Sequence, residues 1–316
     1  MLLAQVRRTI VERDLIPPNT RVLCACSGGP DSAAMLYALA RLAPQLGFEV
    51  EAASVDHGLR PEAARDVVIA GRHAAALGVR FHPLAVQVRR GPSLQALARA
   101  ARYAALQGLA ASRGAARVAV GHTRDDQAET VLLRLVRGTG LHGLGAIDPC
   151  RADGVIRPLI DCDRTEAHRV ARAQFEEVAD DSSNSDVRFE RVRLRAHVMP
   201  LLVAENPRLN EHLAALADEA REYRVPLEQA VVEVLEEAHA GAQSLYASVL
   251  ADRPALLRRA ALRAWLARHG IAPVSRAHVV ALDHALRVRR GHVWLSRGWS
   301  ARIDRAGLLQ LQAQGS

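Results

Sequence analysis

Val22-Leu23-Cys24-Ala25-Cys26-Ser27-Gly28-Gly29-Pro30-Asp31-Ser32 decides how the rest of the chain is read. The first five residues are an apolar run of the kind that forms a strand buried on both faces. The amphipathic pattern that follows predicts a helix starting near Ala33. Between them, two adjacent glycines let the backbone turn its N–H groups outward without a Cβ clash. Those donors, with the positive end of the following helix, make an anion site for a phosphate chain. Ser27 and Ser32 flank Gly28, Gly29 and Pro30 and add hydroxyls. Asp31 repels phosphate unless a metal bridges the two, so it is assigned to Mg²⁺. The loop has no Gly-Lys-Ser/Thr ending, which separates it from the other common phosphate loop. The plainer alternative is a strand-to-helix turn N-capped by Asp31 or Ser32.

Working outward, short β-like runs alternate with helical patterns. Strands are expected at Val22–Cys26, Val50–Val55, Val79–Val88, Val118–Val120 and Val155–Leu159, with helices near 31–46, 61–77, 94–112 and 125–137. That alternation implies βαβ units: an α/β, doubly wound, mostly parallel sheet. Right-handed crossovers bring the strand C-termini to one edge, where such sheets bind ligands. From Thr165 onward the pattern is mainly helical, with a polar loop at Asp180 to Asp186 and a helix through Val192–Leu202 stopping near Pro200. Asn206-Pro207 sets the expected boundary. Residues 1–205 read as the catalytic domain, and 206–316 as a helical linker plus a smaller, mainly helical, basic C-terminal domain. There, helices are expected at Leu209 to about Ala240, Pro254–His269 and Ser275–Leu286. Short strands are expected at Val293–Leu295, Trp299–Ile303 and Leu308–Leu311.

The 316 residues are 49% hydrophobic and 24% charged, ordinary for a soluble globular chain. No apolar run approaches the roughly 20 residues that span a bilayer. Met1–Asp14 mixes Arg7, Arg8, Glu12 and Arg13 into an amphipathic helix, unlike a signal peptide. The chain is therefore expected in the cytoplasm, away from membranes. Cys24, Cys26, Cys150 and Cys162 form no metal-like array and read as packing residues. The net charge is +8, and all 42 basic residues are Arg. Residues 201–250 carry nine acids and three Arg, whereas 251–316 carry three acids and twelve Arg. A basic C-terminal segment on a near-neutral body points to a polyanion.

Several further segments sharpen the reading. Val55-Asp56-His57-Gly58-Leu59-Arg60 follows the second strand, and Ala98-Arg99-Ala100-Ala101-Arg102-Tyr103 lies on a helix. Gly121-His122-Thr123-Arg124-Asp125-Asp126-Gln127-Ala128-Glu129-Thr130 follows the fourth strand, and Arg137-Gly138-Thr139-Gly140 and Ile156-Arg157-Pro158-Leu159 come next. Then follow Asp181 to Asn184 and the stretch Arg191 to Leu202. Together with Ser27–Ser32 these blocks resemble the N-type ATP pyrophosphatases, and within them the tRNA(Ile)-lysidine synthetases. The resemblance runs in order over about 20–203 and is weaker beyond; the chain is similar to a short member with one C-terminal domain. Two positions depart from the pattern: Gln95 stands for a frequent Glu, and Val192 for an Asn.

The resemblance implies an ATP-dependent ligase for the CAU-anticodon isoleucine tRNA. ATP would adenylate the wobble cytidine at its 2-carbonyl oxygen, releasing pyrophosphate. An amine of L-lysine would then displace AMP. Implied ATP contacts are Ser27, Gly28, Gly29, Pro30, Asp31, Ser32, Val55, His57 and His122. Asp31 and Asp126 are assigned to Mg²⁺ and, with Arg102, to the chemistry. Asp125, Glu129, Arg99, Arg191, Arg193 and Arg195 are assigned to substrate, with Glu129 on the lysine cation.

Each assignment has a plainer competitor. Thr123 and Asp126 have capping-box spacing, so the acids could simply start a helix. Arg99 and Arg102 share a helix face and could be solvated, or could offset charge on a phosphoryl group. Tyr103 reads as core or a stacking partner, and His57 and His122 as structural residues or nucleotide contacts. Arg188, Arg191 and Arg195 share helical spacing and either close over ligand or face solvent. Arg253, Arg258, Arg259, Arg263, Arg287, Arg289 and Arg290 read as phosphate contacts, and Trp294 and Trp299 are candidates for stacking that read first as core of the small domain. A tRNA thiolase with a Cys-x-x-Cys pair and a non-catalytic nucleic-acid module remain alternatives. The oligomeric state, a homodimer included, is open.

Overall fold

The structure is a computed structural model that describes residues 1–56, 58, 63–88, 91, 94–179, 188–272 and 274–313. Its centre is β1 (Arg21–Ala25), whose Val22, Leu23 and Cys24 have no exposed surface. Around it lie β2 (Glu49–Asp56), β3 (Arg80–Ala85), β4 (Ala115–Ala119) and β5 (Val155–Ile156) in the order β3-β2-β1-β4-β5, all parallel. Val22 pairs with Val50, Leu23 with Val118 and Val118 with Val155. The side-chain period of two sends Val22, Cys24 and Cys26 to one face and Leu23 to the other. The first face is covered by α1 (Leu2–Glu12), α2 (Pro30–Leu46), α3 (Ala63–Ala76) and α7 (Arg164–Gln174) through Val6, Ile10, Leu36, Leu39, Ala70 and Ala171. The second is covered by α4 (Leu94–Ser112) through Tyr103, Leu106 and Ala110. This is the expected doubly wound parallel sheet.

Strand order reverses between β1 and β4, so the chain leaving these neighbours diverges and opens a crevice. The glycine loop after β1 and the His122 segment after β4 lie at that switch point. The helix after the loop begins at Pro30, earlier than expected, because proline's fixed φ suits the first helical position, where no N–H is needed.

After β4 the chain forms α5 (Arg124–Val136) and α6 (Leu141–Leu144). Later come α8 (Glu190–Arg193), a π-helical turn (Leu194–Val198) and α9 (Met199–Glu205). The expected stop at Pro200 is corrected. Proline sits in the first turn of α9, where its fixed φ is tolerated, just after a π turn in which the Met199 N–H donates to the Leu194 carbonyl. Leu194 and Met199 pack on Ala128 of α5, which sets this segment beside the α5 carboxylates. α10 (Leu209–Glu237) follows.

The chain divides into two compact units, Met1–Glu219 and Ala220–Ser316. Asn206-Pro207 ends α9, while the division falls further along, inside α10. The second unit adds β6 (His239–Gly241), β7 (Ser244–Tyr246), α11 (Ala247–Ala251), α12 (Ala255–Arg268), α13 (Arg276–Val288), β8 (Gly291–Trp294), β9 (Trp299–Ile303) and β10 (Leu308–Ala313). Its strands form an antiparallel sheet ordered β6-β7-β10-β9-β8 over a core of Leu250, Leu262, Trp265, Leu266, Leu282, Leu286 and Leu309. Trp265 is the core indole here. Trp299 is half-buried on that core, and Trp294 is 59% exposed, so the expectation that it is core is corrected. Arg258 is also corrected: its guanidinium is buried against Asp283 and carbonyls of Ala251 and Arg253, where no phosphate reaches.

Candidate active site

The glycine loop is shaped by hydrogen bonds and by one close approach. Gly28 has φ +81°, and a Cβ there would stand 2.7 Å from the Asp66 carbonyl oxygen. Only glycine fits both conditions. Ala179 N–H donates to the Gly28 carbonyl at 2.9 Å. The buried Ser32 Oγ accepts the Ser27 N–H at 3.1 Å, donates to the Gly29 carbonyl at 2.9 Å and lies 3.2 Å from Ser27 Oγ. Ser32 is thus a strut inside the loop, and Ser27 sits on its exposed lip. Pro30 starts α2, and Asp31 occupies its first turn with Oδ1 3.0 Å from His168 Nε2 of α7. Gly121, leaving β4, packs on this turn: a Cβ there would meet the Asp31 carbonyl carbon at 3.2 Å and Ser32 N at 3.3 Å.

His122 follows directly. Burial, aided by Arg157, Arg99 and Arg191 and opposed by Asp126, pushes its imidazole down to about 3. It is neutral at physiological pH. Arg157 Nε donates to His122 Nδ1 at 3.4 Å. A guanidinium only donates, so the imidazole proton resides on Nε2. Arg157 is 4% exposed and also donates to the Asp148 carbonyl.

Beside it, Tyr103 anchors a basic cluster. The guanidinium carbons of Arg99, Arg151 and Arg102 lie 5.0, 5.4 and 5.8 Å from its ring centroid, and Arg99 donates to its hydroxyl at 3.3 Å. Desolvation lowers Arg102 from the usual arginine value. Val55, near the end of β2, is half-buried on the α4 side of the sheet. His57 lies outside the described residues.

The third part is an acid cluster on α5. Asp126 Oδ2 accepts the Thr123 N–H at 2.8 Å and its hydroxyl at 3.0 Å, the return half of a capping box. Capping is therefore real, but Oδ1 does something more. It accepts Arg164 at 2.7 Å and Arg191 at 2.8 Å. Glu129, 2% exposed, accepts Arg164 at 2.8 Å, Arg191 at 2.8 Å, and Arg195 at 2.7 and 2.9 Å. Three guanidiniums share two carboxylates. Burial raises the Asp126 carboxyl, but Arg164 and Arg191 outweigh it and hold it down to about 2. Glu129 is lowered in the same way, against burial, by Arg195 and Arg164. Asp125 differs: burial raises it, and its oxygens accept the Arg164 N–H at 2.8 Å and the Asn210 amide at 2.9 Å. It joins three helices of the first unit.

Arg191 and Arg195 thus meet Asp126 and Glu129, as their helical spacing allows. Arg193 instead donates to the Arg188 carbonyl at 2.8 Å. Sequence reasoning missed Arg164 and His168. Both lie on α7, four residues apart, so one helix face touches the acid cluster and Asp31 together. Their position just beyond β5 was the available signal.

A parallel sheet with a glycine loop and α2 N-terminus at its switch point defines a phosphate-binding α/β protein. The family model described as the PP-loop domain matches residues 3–202. A tRNA(Ile)-lysidine synthase from Thermobifida fusca is 38% identical over 90% of this chain and 89% of its own length. One from Streptomyces coelicolor is 41% identical over 82% and 76%. One from Thermus thermophilus is 37% identical over 87% of this chain and 54% of that relative. A solved U34-tRNA thiolase, NcsA from Methanococcus maripaludis, is 18% identical with a TM-score of 0.57, covering 70% of this chain and 78% of that one; it shows the fold alone. The chain belongs to the tRNA(Ile)-lysidine synthase family within the PP-loop proteins.

Proposed function

We propose that this chain uses ATP to join L-lysine to the wobble cytidine of the CAU-anticodon isoleucine tRNA. One observation carries the reading. One face of α7 touches both clusters, His168 meeting Asp31 after the loop and Arg164, one turn earlier, meeting Asp126 and Glu129, so an anion site and a cation site share one edge. The β and γ phosphates rest on the loop N–H groups and the α2 N-terminus. The cytidine 2-carbonyl oxygen attacks the α phosphorus, and pyrophosphate leaves. An amine of lysine attacks the cytidine C2, AMP departs with the oxygen, and the amine gives up its proton.

The chain's residues divide this work. Arg102, with Arg99 beside it, offsets charge building on the phosphoryl oxygens. His122, neutral and protonated at Nε2, donates a hydrogen bond without adding charge. Glu129 receives the lysine cation in place of one guanidinium, Arg191 or Arg195 turning to substrate. Mg²⁺ fits Asp31, a half-exposed carboxylate in the first turn after the loop. It does not fit Asp126 as placed, because both oxygens of that carboxylate are engaged and the neighbours are cations. When bound, the metal neutralises phosphate charge. A thiolase reading draws no support from the cysteines. Cys24 and Cys26 are buried under β1, burial pushes Cys162 up to about 12, and Cys150 stands exposed.

The test is mass analysis of nucleosides from that tRNA after incubation with ATP, Mg²⁺ and lysine. A lysine-bearing cytidine is expected. AMP release that ignores lysine, or an unmodified cytidine, sinks the reading.

A further inference from the structure

The small antiparallel sheet has one face on the core of the second unit and an opposite face that exposes His292, Trp294, Arg302 and Gln312. Val293, Ala301, Ile303, Leu309 and Leu311 point inward. The alternate positions point outward, and register sets them in rows. His292 of β8 lies opposite Arg302 of β9, which lies opposite Gln310 of β10. Trp294 lies opposite Ser300, which is buried, and Ser300 lies opposite Gln312. The Trp294 indole is 59% exposed, and His292 meets it edge-on with centroids 4.4 Å apart at 60°. A large ring is thus held on a pleated surface by an aromatic neighbour and left open above.

The segment that carries it is basic. Residues 251–316 carry twelve Arg and three acids. Of those acids, Asp283 is buried under Arg258 and Arg259, and Asp304 accepts the Leu308 N–H and the Gln310 amide. Arg302 is exposed and has no carboxylate partner among the described residues. An open indole beside the exposed guanidinium of Arg302 suits a ligand with flat rings on a phosphate chain. An acidic protein surface would satisfy the charge but leave the ring unused.

We infer that the outer face of β8, β9 and β10 is an RNA platform on which Trp294 stacks an unpaired base of the tRNA and Arg302 meets an adjacent phosphate. The inference rests on the reading of the chain as a tRNA-modifying enzyme and adds a contact surface outside the catalytic unit. Stacking tolerates any base, so the platform contributes affinity, not anticodon choice.

The experiment uses the full chain and the CAU-anticodon tRNA. Intrinsic fluorescence is titrated with tRNA for wild type, Trp294→Phe, Trp294→Ala and Arg302→Gln, with nucleoside mass analysis at saturating tRNA alongside. Quenching is expected in wild type. Trp294→Ala weakens binding about tenfold, Trp294→Phe less, and Arg302→Gln lowers the salt slope by about one. Far-ultraviolet circular dichroism checks that the variants fold. Wild-type affinity in Trp294→Ala overturns the platform even if lysine is attached. Lost affinity with no lysine attached in wild type keeps the platform and sinks the enzyme reading. A change of oligomeric state in place of RNA affinity gives this face to a protein contact and overturns the inference.

Discussion

Glu51 and Glu129 are both buried carboxylates wrapped in arginine, at opposite edges of one parallel sheet. Glu51, near the start of β2, has Arg113 at 3.0 Å, His82 at 2.7 Å, Arg21 at 3.5 Å and Arg80 at 3.9 Å. Those partners come from β1, β3 and the turn before β4, so the sheet fixes them. Glu129 lies beyond the strand C-termini, and its partners come from the start of α7, the short α8 and a π turn. Such turns are rare and concentrate at functional sites. The chemistry is the same, but one cluster rivets strands, and the other is the one proposed above to take the lysine cation. What sets the Glu129 cluster apart is that its partners come from helices beyond the strand ends, at the switch point, and not from the sheet itself.

The largest expected effect is on activity. Glu129→Gln lowers lysine attachment about a thousandfold, a loss of about 4 kcal/mol in transition-state binding, in single-turnover assays. Glu51→Gln leaves that rate within about twofold and instead costs about 3 kcal/mol of stability by urea denaturation, because the arginines lose their buried partner. Equal rate losses in both variants would erase the distinction.

Acid sharpens it. Glu51 is held down to about 2 from 4.5, by Arg113 first and against burial. A carboxylate depressed in the fold adds stability that is whole above its unfolded value and fades as pH falls from about 4.5 to about 2. Wild type therefore loses stability on that acid limb, and Glu51→Gln flattens it; an unchanged limb in urea melts contradicts the rivet. His122, lowered to about 3, stays neutral across that window's upper part and above. Its NMR signals should not titrate between about pH 5 and about pH 8.

The smallest effect is the most diagnostic. Arg195→Ala removes an occupant of the Glu129 socket, so calorimetry on the tRNA-free protein should show lysine binding about three- to tenfold tighter. Weaker binding would make Arg195 a lysine contact and not a competitor.

Much of this was legible before any fold was seen. The apolar run Val22–Cys26, Gly28-Gly29 and the helix pattern after it carry the switch-point loop, because period and glycine are local signals. The acids of α5 were legible as a dense group with capping spacing. Arg164 and His168 were not, since a lone Arg and a lone His on a polar helix reveal nothing about which neighbour they face. Pro200 misled because a separate helix begins just before it, and proline is tolerated in a first turn. Trp294 was misplaced because burial on a small sheet depends on register, which the alternation Gly291–Gln312 leaves unset. The exposed arginines remain where composition put them; the buried one is chosen by Asp283 across a helix pair.

The account's centre is tested by following α-labelled ATP with the CAU-anticodon tRNA, first without lysine and then with it. Wild type should place the label on tRNA as an adenylate and release it as AMP when lysine is added. Glu129→Gln should load the label and hold it, whereas Glu51→Gln should behave as wild type. If the tRNA never carries label, or if label leaves Glu129→Gln on lysine addition as fast as from wild type, the account is contradicted.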